Sequence, residues 1–192
     1  MNMIKEYLRH FEQKLSNTLI SNENGETLDH TIAYNSLVSK LAELHQSTHI
    51  IYLIGNGGSS AIVSHSAVDF INTCQIKAYP LTEHSQLTCM ANDYGYENVF
   101  RNQIDMMMGP EDVLIAVSSS GSSPNIVRAA EIAREKKAFL ITLTGFSPDN
   151  RLRKMGNFNF WLDTMDYGQV EIGHALLLHI LTDKLGKKIR TF

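Results

Sequence analysis

The sequence predicts an α/β domain with a parallel sheet covered by helices on both faces. Short apolar runs at 49–54, 76–81, 112–117, 138–143 and 157–162 alternate with stretches of helical periodicity, the pattern of strand–helix–strand units. Two of these runs empty into loops of glycine and serine that open the next helix, GNGGSS at 55–60 and SSSGSS at 118–123. Glycine lets the backbone turn sharply, and the first N–H groups of a helix point outward, so each loop has the makings of an anion site.

The elements follow in order. Residues 1–21 carry Ile4, Leu8, Phe11, Leu15 and Leu19 at spacings of three and four, the stripe of an amphipathic helix, and SNENGE at 21–26 ends it. A second helical pattern runs from Leu28 to His45, with Ile32, Leu37, Leu41 and Leu44 apolar. Strand–helix alternation then begins, which divides the chain into an N-terminal helical segment, 1–46, and a sheet domain, 47–192. The last helix, Gln169 to Leu185, carries Ile172, Ala175, Leu176, Leu177, Leu178, Ile180 and Leu181. It is apolar nearly all round, which predicts burial in the domain or against another subunit.

Composition narrows the function. A chain of 192 residues, 43% hydrophobic, holds one α/β domain with a proper core. The net charge of −3, with Lys and Arg scattered except in KLGKKIRTF, argues against a nucleic-acid partner. MNMIKEYLRHFEQKL alternates charge with apolar residues, unlike a secretory signal, and no apolar stretch approaches the ~20 residues that span a bilayer. A cytoplasmic protein that does not enter membranes is expected. Cys74 and Cys89 lack metal or redox spacing and read as reduced core or near-core thiols.

The loops also exclude chemistry. Ser60 replaces the third glycine of the dinucleotide fingerprint, and the strand IKAYPL ends without the acidic residue that binds a ribose. No G-K-S/T motif supports a P-loop, and no G-x-S-x-G presents a nucleophile. The hydroxyls of Ser118, Ser119, Ser120 and Ser123, with the helix N–H groups behind them, are suited to surround one phosphate of a small molecule.

Four ionisable residues sit on otherwise apolar helices. His65 and Asp69, four apart, share one helical face, while Glu171 and His179, eight apart, lie about 80° apart around the last helix. His174 stands at i+3 from Glu171 on its other flank. Burying such groups costs several kcal/mol unless they pair or bind a metal. Two accounts follow from the spacing alone: hydrogen-bonded core histidines, or a Zn²⁺ site with His174 as a competing ligand.

Together GNGGSS, the His-x-x-x-acid helix at 65–69, ANDYGYENVF at 91–100, SSSGSSPNIV at 118–127, ITLTG at 141–145 and the acid and His at 171 and 179 resemble the sugar isomerase (SIS) domain family, in its phosphoheptose isomerase branch. The resemblance implies a three-layer α/β/α fold with a five-stranded parallel, flavodoxin-like sheet. It also implies N-terminal helices that pack between subunits of a homotetramer, with active sites at the interfaces. Ser118, Ser119, Ser120 and Ser123 would hold a sugar phosphate, Asn56, Gly57 and Ser59 would contact the open-chain sugar, and Asp93 would meet a hydroxyl. His65, Asp69, Glu171 and His179 would hold one zinc per subunit, with Asp69 as base and His179 as acid. The implied reaction converts sedoheptulose 7-phosphate to an aldoheptose 7-phosphate through an enediolate.

Departures from the family pattern bear on chemistry. Asp69 stands where the family usually has glutamate and Glu171 where it usually has glutamine, so two carboxylates would formally cancel the charge of a bound Zn²⁺. Glu171 then competes with Asp69 for the role of base. FINTC lacks the family's arginine, and Gly168 stands at its acidic position before the last helix. The alternative expectation is a non-catalytic SIS protein that binds a sugar phosphate or docks on a partner. The retained histidines and acids favour the enzyme.

Overall fold

The computed structural model describes residues 2–191. Helix α1 (Met3–Ser16) leads to a hairpin of β1 (Leu19–Asn22) and β2 (Thr27–Leu28), then to α2 (His30–Ala42), where the Asp29 side chain accepts the N–H groups of Thr31 and Ile32. There follow β3 (Ile51–Gly55), α3 (Gly58–Asn72), β4 (Ala78–Pro80), α4 (His84–Tyr94) and α5 (Val99–Met107). The chain ends with β5 (Val113–Ser118), α6 (Pro124–Glu135), β6 (Phe139–Thr144), β7 (Phe158–Trp161) and α7 (Tyr167–Arg190).

All five predicted strands form, within a seven-stranded sheet ordered β2-β1-β7-β6-β5-β3-β4. The stretch β4-β3-β5-β6-β7 is parallel throughout. Numbered along the chain, its strands lie in the order 2-1-3-4-5, the flavodoxin-like winding, whose direction reverses between β3 and β5. Side chains alternate across this sheet. Ile51, Leu53, Val113, Ile115 and Val117 meet α2, α3 and α7 on one face. Tyr52, Ile54, Leu114 and Ala116 meet α5 and α6 on the other. Both faces being covered, these strands read as continuous apolar runs.

The two extra strands correct the expectation for residues 1–21. The helix stops at its C-cap Asn17, and Leu19–Asn22 pairs antiparallel with β7. Leu19 fell at helical spacing from Leu15, but the chain has already turned extended, and Ile20 enters the core at 1% exposure. SNENGE therefore does not end the helix, which has already stopped at Asn17; it forms the turn of the β1–β2 hairpin, where the Asn22 side chain accepts the N–H groups of Asn24 and Glu26. The first 46 residues are therefore not purely helical. Nor do they have a core of their own, since Ala33, Leu37 and Leu41 share one cluster with Ile51 and Leu53.

Of two further expectations, one is met in part and one changes. Helix α7 buries Val170, Leu177, Leu178, Leu181 and Leu185 but leaves Ile172 and Leu176 exposed, so its apolar circumference is only partly covered within the chain. Cys74 is buried, whereas Cys89 lies exposed on α4, a helix that buries none of its residues. Helix α1 lies beside the start of α7, with Tyr7 next to Gly168 and Phe11 next to Gly173. Its Met3, Ile4 and Leu8 face outward uncovered. Among the described residues no helix is long and apolar enough to cross a membrane.

Candidate active site

The two glycine–serine loops emerge side by side, because β3 and β5 are neighbours in the sheet and both loops leave their C-terminal ends. This is the crevice where the winding reverses, the place such sheets bind ligands. Together with the start of α7 the loops line a cleft of about 120 Å³ formed by Asn56, Ser59, Ser118, Ser119, Ser120, Ser123, Tyr167 and Glu171. Small-molecule sites run to ~300–1,000 Å³, so this cleft suits one end of a ligand. It holds five serines, one carboxylate and no cation.

Local contacts shape the serine loop. The Ser118 hydroxyl accepts the Gly121 N–H at 3.2 Å and lies 3.5 Å from the Ser123 hydroxyl, which stands at the N-cap of α6. Gly121 has a φ of 59°, and a side chain there would run into Asn150, a buried residue whose amide donates to Ser147 O at 2.9 Å and whose oxygen accepts the Arg153 N–H at 2.9 Å. Gly121→Ala therefore combines left-handed strain with overpacking. It is expected to lower unfolding free energy by about 2–4 kcal/mol in denaturant titration, and a loss below 1 kcal/mol would contradict this geometry.

Helix α3 starts at Gly57, an N-cap without a side-chain acceptor of its own. Gly58 is small for a specific reason: a Cβ there would collide with the carboxylate of Glu171. The Glu171 side chain thus lies against the first turn of α3, where the helix dipole favours negative charge. From this point α3 and α7 run side by side in the same direction. Glu171 meets Gly58, His179 meets Asp69, the Cys74 thiol donates to Thr182 O at 3.4 Å, and Gly186 abuts Thr73.

Two turns along that seam, three predicted residues converge. His179 Nδ1 lies 3.3 Å and His65 Nε2 3.7 Å from Asp69 Oδ2, and the imidazole rings are 5.1 Å apart. One ligand atom from each residue lies within 4.8 Å of the others. The two imidazoles of the trio open onto a groove of about 280 Å³ lined by Ala61, Ile62, His65, Ser66, Ala175 and His179. Two imidazoles and a carboxylate form a donor set suited to Zn²⁺ with positions left for water or substrate.

Other expected site residues fall elsewhere. Glu171 is not brought to the trio, because eight residues of helix rise ~12 Å, and it sits at the serine cleft instead. The trio is also less buried than apolar helices implied: the side-chain exposures of His65, His179 and Asp69 are 65%, 44% and 22%. The buried histidine is His174, fully enclosed, with neither ring nitrogen in good hydrogen-bond geometry; desolvation pushes its pKa down to about 4, and a weak interaction with the Thr144 backbone pulls the other way. It lies outside the ligand group. Asp93 is on exposed α4 with its oxygens taken up by Asn92 and Cys89, and it does not line the cleft.

Sequence reasoning passed over Tyr167, Asn125 and Tyr96. Tyr167 edges the cleft and packs against Phe146, ring centroids 4.7 Å apart. Asn125 and Tyr96 both hydrogen-bond to Asn56. The signals were present in the polar residue directly after SSSGSSP and in the second tyrosine of ANDYGYEN.

The model of the SIS domain family matches residues 11–145, and the chain belongs to that family. Its relatives include phosphoheptose isomerases. That of Helicobacter pylori is 31% identical over 175 residues, covering 82% of this chain and 91% of that protein. That of Aromatoleum aromaticum is 36% identical over 141 residues, covering 69% and 71%. The structure of phosphoheptose isomerase GmhA from Neisseria gonorrhoeae aligns with a TM-score of 0.72 at 25% identity, over 97% of this chain and 100% of that one.

Proposed function

We propose that the protein is a phosphosugar isomerase of the cytoplasm that interconverts sedoheptulose 7-phosphate and a glycero-manno-heptose 7-phosphate. The observation that carries this reading is the meeting of His65, Asp69 and His179 two helical turns from a serine-lined cleft at the switch point of the sheet. Gly58 and His65 are separated by ~10 Å of helix rise, and an extended seven-carbon chain with a terminal phosphate has a reach of that order. With the phosphate among Ser118, Ser119, Ser120 and Ser123, and Asn56, Gly57 and Ser59 beside the chain, the carbonyl end arrives at the trio.

There Asp69 takes the proton from C1 of the ketose. The C–H electron pair forms the enediolate double bond, and His179 returns a proton to C2 while the hydroxyl proton passes from O1 to O2, leaving the aldehyde at C1. His65, Asp69 and His179 are the residues that would hold Zn²⁺, and when bound it would polarise the carbonyl and offset the charge of the enediolate. Glu171, expected as the fourth ligand or as the base, lies at the phosphate end in this chain. The uncovered apolar residues of α1 and α7 support assembly into a homotetramer with partner subunits closing the open sites.

Incubation with sedoheptulose 7-phosphate tests the function: appearance of the aldose supports it, and saturable binding without conversion replaces it with the sensor reading. The electrostatics make a separate prediction. A carboxylate beside a dianionic phosphate, with no cation in the cleft, opposes binding. Glu171→Gln should tighten binding of the sugar phosphate on the order of tenfold by calorimetry. Weaker binding would instead show that Glu171 acts on the ligand as an acceptor.

A further inference from the structure

We propose that Asn125 and Tyr96 are positioning residues that present Asn56 to the ligand as a hydrogen-bond donor only. Asn56 and Asn125 form a reciprocal amide pair. The Asn56 amide donates to Asn125 Oδ1 at 3.0 Å, and the Asn125 amide donates back to Asn56 Oδ1 at 2.9 Å. The Tyr96 hydroxyl donates to the same Asn56 oxygen at 3.1 Å. Asn125 is 2% exposed and also accepts the Ile126 N–H at 3.0 Å.

An inventory of the amide gives the consequence. A carboxamide oxygen has two lone pairs and its nitrogen two hydrogens. Both lone pairs of Asn56 are taken, by Asn125 and Tyr96, while one N–H remains free in a residue that lines the serine cleft. Turning the amide over would set N–H against N–H and oxygen against oxygen, so the pair also fixes which way Asn56 points. The ligand atom opposite Asn56 must then be an acceptor, such as a phosphate, carbonyl or hydroxyl oxygen. The clasp ties three separate segments together: the turn after β3, the start of α6 and the turn after α4.

This inference rests on the reading of the cleft as the ligand site, and a double-mutant cycle separates the two. Binding of sedoheptulose 7-phosphate and of inorganic phosphate is measured by calorimetry for the native protein, Asn56→Ala, Tyr96→Phe and the double variant. Tyr96 is 56% exposed, so its loss of one hydroxyl is not expected to unfold the chain, which the melting temperature checks. Tyr96→Phe should weaken sugar-phosphate binding by about threefold to tenfold in the native background and have no effect in the Asn56→Ala background. Equal losses in both backgrounds, or none in either, would overturn the clasp while leaving the cleft in place. Failure of the native protein to bind either probe would overturn the cleft, and the clasp with it.

Discussion

Asp69→Asn is expected to lower turnover of sedoheptulose 7-phosphate by about 10³-fold, within the range that removal of a proton-transfer group usually produces. The substitution preserves shape and volume, and the Asn side chain can still meet His179 Nδ1, now 3.3 Å from Asp69 Oδ2. What it removes is the negative charge and with it the capacity to accept a proton from carbon. His179→Ala should cost a comparable factor by removing the proton donor. Neither change touches the serine cleft, so calorimetric binding of inorganic phosphate should stay within about twofold of native. Turnover of Asp69→Asn within tenfold of native would move the base elsewhere, and Glu171→Gln would then be the variant that abolishes it.

The second large effect concerns stability. His174 is buried with no well-formed hydrogen bond and only a weak interaction with the Thr144 backbone, and its pKa falls from 6.5 to about 4 because burial disfavours the charged ring. Between those values the unfolded chain binds the extra proton and the folded chain does not, so stability is fully present above pH 6.5 and is lost as the pH falls towards 4. The whole window amounts to about 3 kcal/mol, roughly 2 of which are gone by pH 5. His174→Leu, of similar volume and without orphaned nitrogens, should flatten this slope and be about 2 kcal/mol more stable than the native protein at pH 5 in urea titration. Identical pH profiles for the two proteins would show that His174 finds a partner in solution.

What the sequence could reveal was governed by local pattern. The five parallel strands were legible because strands buried on both faces must be apolar throughout, and the glycine–serine loops marked where β3 and β5 end. His65 and Asp69 were placed together by helical spacing alone. The β1–β2 hairpin was missed because Leu19 continued the spacing of α1 by coincidence, and only its pairing with Trp161 decides the matter. The separation of Glu171 from the trio is a fact of helix rise: spacing around the axis suggested a shared site, while distance along it puts Glu171 beside Gly58. Asn125 was invisible for another reason. Its role depends on a contact across 69 residues, which no periodicity encodes.

The most direct test of the account is isomerisation in deuterium oxide, followed by NMR. Proton abstraction by Asp69 and reprotonation through an enediolate predict an aldoheptose phosphate carrying solvent deuterium at C2, and the same label appearing at C1 of the remaining ketose. Binding of sedoheptulose 7-phosphate with no conversion and no deuterium in either sugar would contradict it.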